Sequence, residues 1–216
     1  MMSKKQFTVF FMIAGAGALL VVVMIYSLLP DRNDEEISIT RGGVPVATLV
    51  AEASDPILGK RGAPIALFVF SDFECDHCAD SVPILKTLVA KHDNVRVVWK
   101  DAPFSLFPTS PLPAHIAARC AQQQGKFWEY HDKLFETQGT HSDALFQQIA
   151  AELELNEQKF SACMSDKKLE LLVQKNVDLA ESLAIDGTPY FVIDTERFSG
   201  TRTLEFFEQA ITRAAL

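Results

Sequence analysis

The sequence predicts an α/β domain whose sheet is interrupted by an all-helical block, preceded by one N-terminal transmembrane helix. Three observations predict it. Residues 7–29 (FTVFFMIAGAGALLVVVMIYSLL) carry no charge. Short apolar runs at 65–70, 95–100 and 190–193 read as buried strands. Between the last two, from 114 to about 183, apolar residues recur at helical spacing, and so long a block is a subdomain rather than a crossover.

At ~1.5 Å rise per residue the first run makes a helix slightly longer than the ~30 Å hydrocarbon core. Lys4 and Lys5 precede it, and Asp31, Asp34, Glu35 and Glu36 follow with only Arg32 among them. The basic flank stays in the cytoplasm, so the rest of the chain is expected outside it. A cleaved signal peptide would have an apolar region of about 7–15 residues ending in small residues. This one is longer and ends Tyr26-Ser27-Leu28-Leu29-Pro30. Residues 1–30 are therefore read as a cytoplasmic stub and an uncleaved single-pass anchor in the inner membrane, with the body periplasmic.

Residues 31–43 are polar and read as a linker, and 44–50 as a short first strand. The stretch 55–64 is rich in turn residues, with Asp55-Pro56 and Gly59-Lys60-Arg61-Gly62. After strand 65–70 the period changes at Cys75. Val82, Leu85, Leu88 and Val89 recur at helical spacing, with a kink expected at Pro83. Strand 95–100 leads into a turn with Pro103, Pro108, Pro111 and Pro113. In the helical block Phe127, His131 and Leu134 share a face, as do Leu145, Ile149 and Leu153, and Phe160, Cys163 and Met164; Asn156 and Ser165 are expected caps. Phe127, Trp128 and His131 are read as core. Gly187-Thr188-Pro189 opens strand 190–193, and Leu204, Phe207 and Ile211 align on a last amphipathic helix. The division is thus 44–104 for the first part of the α/β domain, 105–183 for the helical insertion and 184–216 for the second part.

Apolar residues are 48% of the 216, enough for a core that needs no disulfide staples. The net charge of −8 argues against nucleic acid as a partner, since phosphate binding is driven by Lys and Arg.

The chemistry is expected at Cys75 and Cys78, a CxxC pair where a strand meets a helix. There the helix dipole and free N–H groups favour a negative sulfur, which can lower a thiol pKa from ~8.5 to between about 3.5 and 7. Cys75 would exchange and the shielded Cys78 would resolve. His77 between them is expected to stabilise the Cys75 thiolate, with Asp76 opposing it. A lone CxxC can also be half a zinc site, but neither a second CxxC nor an HxxxH supplies further ligands; a purely structural clasp is the other alternative. No metal or organic cofactor is expected beyond the redox-active pair itself. Cys120 and Cys163 lie on apolar faces of the helical block and are either a second, structural disulfide or two buried thiols. Asp72, Glu74 and Lys100 flank the active-site strand or its neighbour and read as surface charges, with a proton relay from Cys78 as the alternative.

The stretch 68–78 (FVFSDFECDHC) resembles the active-site strand and helix start of DsbA-like thiol–disulfide oxidoreductases. So does 125–135 (GKFWEYHDKLF), and 187–192 (GTPYFV) resembles the loop that carries that family's cis-proline. The resemblance runs from about residue 55 to 216. It implies a thioredoxin-like fold with an inserted helical domain, a cis Pro189 facing the disulfide, and substrate binding at Thr188 and Pro189. It further implies oxidation of cysteines in exported proteins, with a DsbB-like membrane partner to reoxidise the pair. Asp76-His77 stands where the best-known members have Pro-His, and Thr188 where they commonly have Val; Thr188 also occurs in the isomerase branch. Disulfide isomerase or reductase activity therefore stays open, as does a non-enzymatic binding module. The isomerases dimerise through an extra N-terminal domain for which there is no room here, so a monomer is expected.

Overall fold

The computed structural model describes residues 49–103 and 112–215. The expected anchor, linker and most of the expected first strand lie outside these, as do Pro108 and Pro111. Among the described residues no helix is long and apolar enough to cross a membrane.

The strands are β1 (Ile57–Gly59), β2 (Ile65–Ser71), β3 (Val95–Asp101), β4 (Tyr190–Ile193) and β5 (Glu196–Ser199). The helices are α1 (Asp76–Lys91), α2 (Leu112–Gln122), α3 (Phe127–Glu136), α4 (Asp143–Glu152), α5 (Glu157–Met164), α6 (Lys167–Ser182) and α7 (Leu204–Ala214). They form one five-stranded sheet of order β1-β3-β2-β4-β5. β2 and β3 run parallel, in register from Ile65 opposite Val95 to Ser71 opposite Asp101, while β4 lies antiparallel on the other side of β2. The helices α2 to α6 enter between β3 and β4, which makes this a thioredoxin-like α/β fold with a helical insertion.

Alternation along the central strands feeds two cores, as a pleat of period two requires. Leu67, Val69, Val97 and Trp99 face one layer, with Leu85 and Leu88 of α1, Phe207 and Ile211 of α7, and Phe127, Tyr130 and Phe160 of the insertion. Phe68, Phe70, Val98 and Val192 face the other, beside Ala180 of α6 with Leu183 and Ile185 after it. Both faces of β2 and β3 are thus covered, and their sequences read as continuous apolar runs for that reason.

The sheet departs from expectation in two ways. Leu49 and Val50 are not in a strand; the edge strand is Ile57–Gly59, inside the stretch read as turns. Its backbone bonds to β3, and at Gly59 (φ +92°) a Cβ would meet the Val95 carbonyl at 3.0 Å. The sheet gains β5, which pairs with β4 and carries no fully buried residue to announce it. Both expected caps are found on α5: Asn156 at its start, accepting from the Lys159 N–H, and Ser165 at its end, donating its N–H back to the last turn; Asp166 caps the next helix. α1 runs without a break through Pro83.

Candidate active site

Cys75 is the residue at the N-terminal boundary of α1, in extended conformation (φ −100°, ψ 115°), and its carbonyl accepts the Cys78 N–H at 3.0 Å. β2 is clamped between β3 and β4, so the turn that follows it delivers Cys75 to the end of the sheet. Cys75 is part-exposed and Cys78 is buried on the first turn of the helix; both are free thiols here. The Cys75 sulfur lies 3.3 Å from the Thr188 carbonyl oxygen, to which the thiol donates. The Thr188–Pro189 peptide bond is cis. One strand end, one helix start and the loop before β4 therefore converge on a single sulfur.

The two thiols differ sharply in proton affinity. Cys75 is lowered to about 6, first because the Cys78 thiol hydrogen-bonds to it; burial opposes this, and Thr188 and the Cys78 N–H add to it. Cys78 is pushed far up, first by burial and then by its neighbour Cys75. On its inner side Cys78 faces a small cavity shared with Ser71, Ser81, Lys86, Trp99 and His131.

His77 does not stand where the sequence suggested. It is exposed, its Nδ1 is 3.7 Å from Asp80, and it is not among the leading causes of the low Cys75 value. Nor is Asp76 the leading opposing carboxylate. That is Asp72, whose negative charge raises Cys75.

Asp72 and Lys100 are not surface charges. Both are buried, and Lys100 is paired with Asp55, Nζ to Oδ2 at 2.8 Å. Glu74 is exposed and touches His141 of the loop after α3, 2.5 Å from its Nδ1. Sequence reasoning missed a buried polar cluster beside these residues. Asp101, at the end of β3, accepts from Trp99 Nε1 (2.9 Å), Arg119 Nε (2.8 Å) and Asn176 Nδ2 (3.1 Å), and lies 2.9 Å from His115 Nδ1. Burial alone would raise Asp101, but the Arg119 guanidinium and His115 hold its carboxyl well below the usual range. The only signal in the sequence was a charge at the end of an apolar strand.

In the insertion the structure joins Cys120 of α2 to Cys163 of α5, with Cα atoms 5.7 Å apart. Phe127 is buried, Trp128 packs at the edge of the core, and His131 is buried against Phe73 and Trp99. Burial lowers the pKa of His131.

A thioredoxin family model matches residues 52–213. The chain belongs to the thioredoxin family. A thioredoxin-like oxidoreductase of Silicibacter pomeroyi superposes with a TM-score of 0.70 at 26% identity, covering 76% of this chain and 94% of that one. The thiol–disulfide exchange protein alpha-DsbA2 of Wolbachia pipientis shares the fold, with a TM-score of 0.69 at 21% identity over 75% of this chain and 88% of that one. A probable disulfide bond formation protein D of Bacillus anthracis is 25% identical over 80% of this chain and 81% of its own length. A Na(+)/H(+) antiporter NhaA 1 of Salinispora arenicola is 29% identical over 94% of this chain, but the match takes in only 32% of the antiporter. The chain thus spans about a third of the length of the antiporter relatives it matches.

Proposed function

We propose that the chain oxidises cysteine pairs of exported proteins through Cys75 and Cys78. One observation carries this reading: a part-exposed thiol lowered to about 6 sits at a helix start against the Thr188–Pro189 loop, beside a buried thiol pushed far up. A stabilised Cys75 thiolate favours the reduced pair, and a pair that is easily reduced is a strong oxidant.

The exchange runs in two displacements. With Cys75 and Cys78 joined, a substrate thiolate attacks the Cys75 sulfur, the disulfide breaks, and Cys78 leaves and takes up a proton. A second substrate thiolate then attacks the substrate sulfur of the mixed disulfide, and Cys75 leaves as its low-pKa thiolate. Two electrons have passed from the substrate to the pair. The Thr188–Pro189 loop offers backbone groups to an extended substrate chain beside the reacting sulfur. A membrane partner of the DsbB kind would take the electrons onward.

An extracytoplasmic address is supported by the basic-before, acidic-after charges around residues 7–29. The second cysteine pair, joined across the insertion, suits the same oxidising compartment. The reading takes nothing from the antiporter relatives' names, because the match takes in only about a third of their length.

The deciding experiment is the reduction potential of the Cys75–Cys78 couple against glutathione. A value near −120 mV is expected. A value below about −250 mV would make the pair a reductant and overturn the direction of the reading.

A further inference from the structure

His115 sits on α2, fully buried, with one ring nitrogen engaged and the other not. Its Nδ1 lies 2.9 Å from Asp101 Oδ1. Asp101 is an ionised acceptor gripped by Arg119, Trp99 and Asn176, so Nδ1 must carry a hydrogen. Any second proton can reside only on Nε2. That atom is buried without a hydrogen-bond partner, and it lies 3.7 Å from Asp72 Oδ1. An orphaned nitrogen facing a buried carboxylate is a costly arrangement unless it carries a proton and the two attract.

Asp72 is no remote residue. Its carbonyl accepts the Cys75 N–H at 3.2 Å, its backbone N–H contacts the Cys78 sulfur, and its charge opposes the Cys75 thiolate. Asp72 Oδ1 also accepts the Glu74 N–H at 2.9 Å, which fixes the carboxylate in the turn that leads to Cys75.

The charged and titratable groups around the imidazole come from each neighbouring element. Asp72 faces it from the turn after β2, Asp101 from β3, and Arg119 lies one turn along α2, bound to that same Asp101. His131 of α3 shares the Phe73 and Trp99 rings with it, and burial keeps His131 on the neutral side. Lys100 is engaged by Asp55 and Arg119 by Asp101, and His115 presents an open nitrogen to Asp72.

We propose that His115 is a positioning residue of the redox pair: held by Asp101, it presents an Nε2 proton to Asp72 and so sets how much negative charge faces Cys75. The inference rests on the reading of Cys75 as the exchanging thiol and deepens it. The proton on His115 offsets Asp72, and the offset keeps the Cys75 thiolate accessible near neutral pH. Residues of the helical insertion thereby tune chemistry performed on the α/β domain.

Thiolate absorbance of the reduced full chain against pH tests this in four forms: wild type, H115Q, D72N and the double variant. In wild type the Cys75 midpoint is expected near 6. H115Q should raise it by about one pH unit, a roughly tenfold loss of thiolate below both midpoints. In the D72N background the same change should move it little, because the carboxylate through which His115 acts is gone. A lower unfolding midpoint with an unmoved thiolate titration would make His115 merely structural, and an equal rise in both backgrounds would remove Asp72 from the path; either overturns the proposal. A wild-type midpoint near 8.5 would instead overturn the reading of Cys75 itself. Should H115Q fail to fold, nitrogen chemical shifts of His115 in the native chain decide. A ring protonated on both nitrogens at pH 7 is expected, and a bare Nε2 overturns the proposal.

Discussion

The chain holds two cysteine pairs, and the fold treats them in opposite ways. Cys75 and Cys78 share the first turn of α1, one part-exposed and one buried, at the end of the sheet and beside the Thr188–Pro189 loop. Cys120 and Cys163 are 43 residues apart, both buried, and joined between α2 and α5 in a setting of Ala117, Ala121 and Phe160. The first pair has a part-exposed sulfur and a neighbour that stabilises its thiolate. The second is buried and closes a long loop. The comparison teaches that environment, not sulfur, separates a reagent from a staple.

The sharpest way to break the comparison is to exchange the roles. Cys75→Ser should reduce disulfide exchange on a reduced peptide to the background rate, followed by fluorescence or mass. The double change Cys120→Ala and Cys163→Ala should leave the rate within a small factor. If the second pair proved necessary for exchange and the first did not, the assignment of roles would be reversed.

The same double change should show its effect in stability. Closing a loop of 43 residues removes unfolded-state entropy worth about 4 kcal/mol in the chain-entropy account. Urea unfolding of the chain with and without this bond should differ by about 2–4 kcal/mol. A difference near zero would mean that the insertion is held by its buried polar and apolar contacts alone.

Those contacts were the least legible part of the sequence. The central strands, α1 and the CxxC position could be read because apolar runs and helical spacing are local signals. β1 escaped because three residues at a sheet edge, within a Gly-rich turn region, produce no pattern. β5 escaped because its residues are half-buried on an outer strand. Asp72 and Lys100 read as surface charges, and Asp101, His115 and Arg119 drew no reading, because a sequence does not reveal that Asp101 meets Arg119, 18 positions on. Buried charges become legible only with their partners. His77 failed the other way. Adjacency in sequence placed it beside Cys75, but on the helix it turns toward Asp80. The cis bond at Pro189 came from family resemblance, since an X–Pro bond is cis only ~5–6% of the time.

A pH series sharpens the contrast between the two states of the first pair. In the reduced chain the fold holds Cys75 near 6, below the ~8.5 of an unfolded thiol. The lowered group contributes stability that is complete above ~8.5 and is lost as pH falls through about 6. The interval corresponds to ~3.4 kcal/mol, which partial exposure reduces to on the order of 2 kcal/mol. The oxidised chain has no thiol there and no such slope. The stability of reduced minus oxidised protein should therefore climb between about pH 6 and pH 8. Above that range Cys78 bends the curve down, because the unfolded chain can ionise a thiol that the fold keeps protonated. Parallel profiles for the two states would mean that the fold does not favour the Cys75 thiolate.

The smallest expected effect isolates what the Thr188–Pro189 loop adds to the contrast. Thr188 hydrogen-bonds with Cys75 and contributes to its low pKa, behind the Cys78 thiol in rank. Thr188→Val keeps the volume of the side chain and the backbone carbonyl 3.3 Å from the sulfur, but removes the hydroxyl. The Cys75 thiolate midpoint should rise by a few tenths of a pH unit, about a twofold loss of thiolate at pH 5, while the Cys120–Cys163 bond is untouched. Alkylation by iodoacetamide at a series of pH values reads the change directly, since only the thiolate reacts. If the variant titrates like wild type, the hydroxyl plays no part, and Cys78 with the helix start accounts for the reactivity of Cys75. If it rises by more than a unit, the loop matters as much as the helix, and the difference between the two cysteine pairs begins at Thr188 rather than at α1.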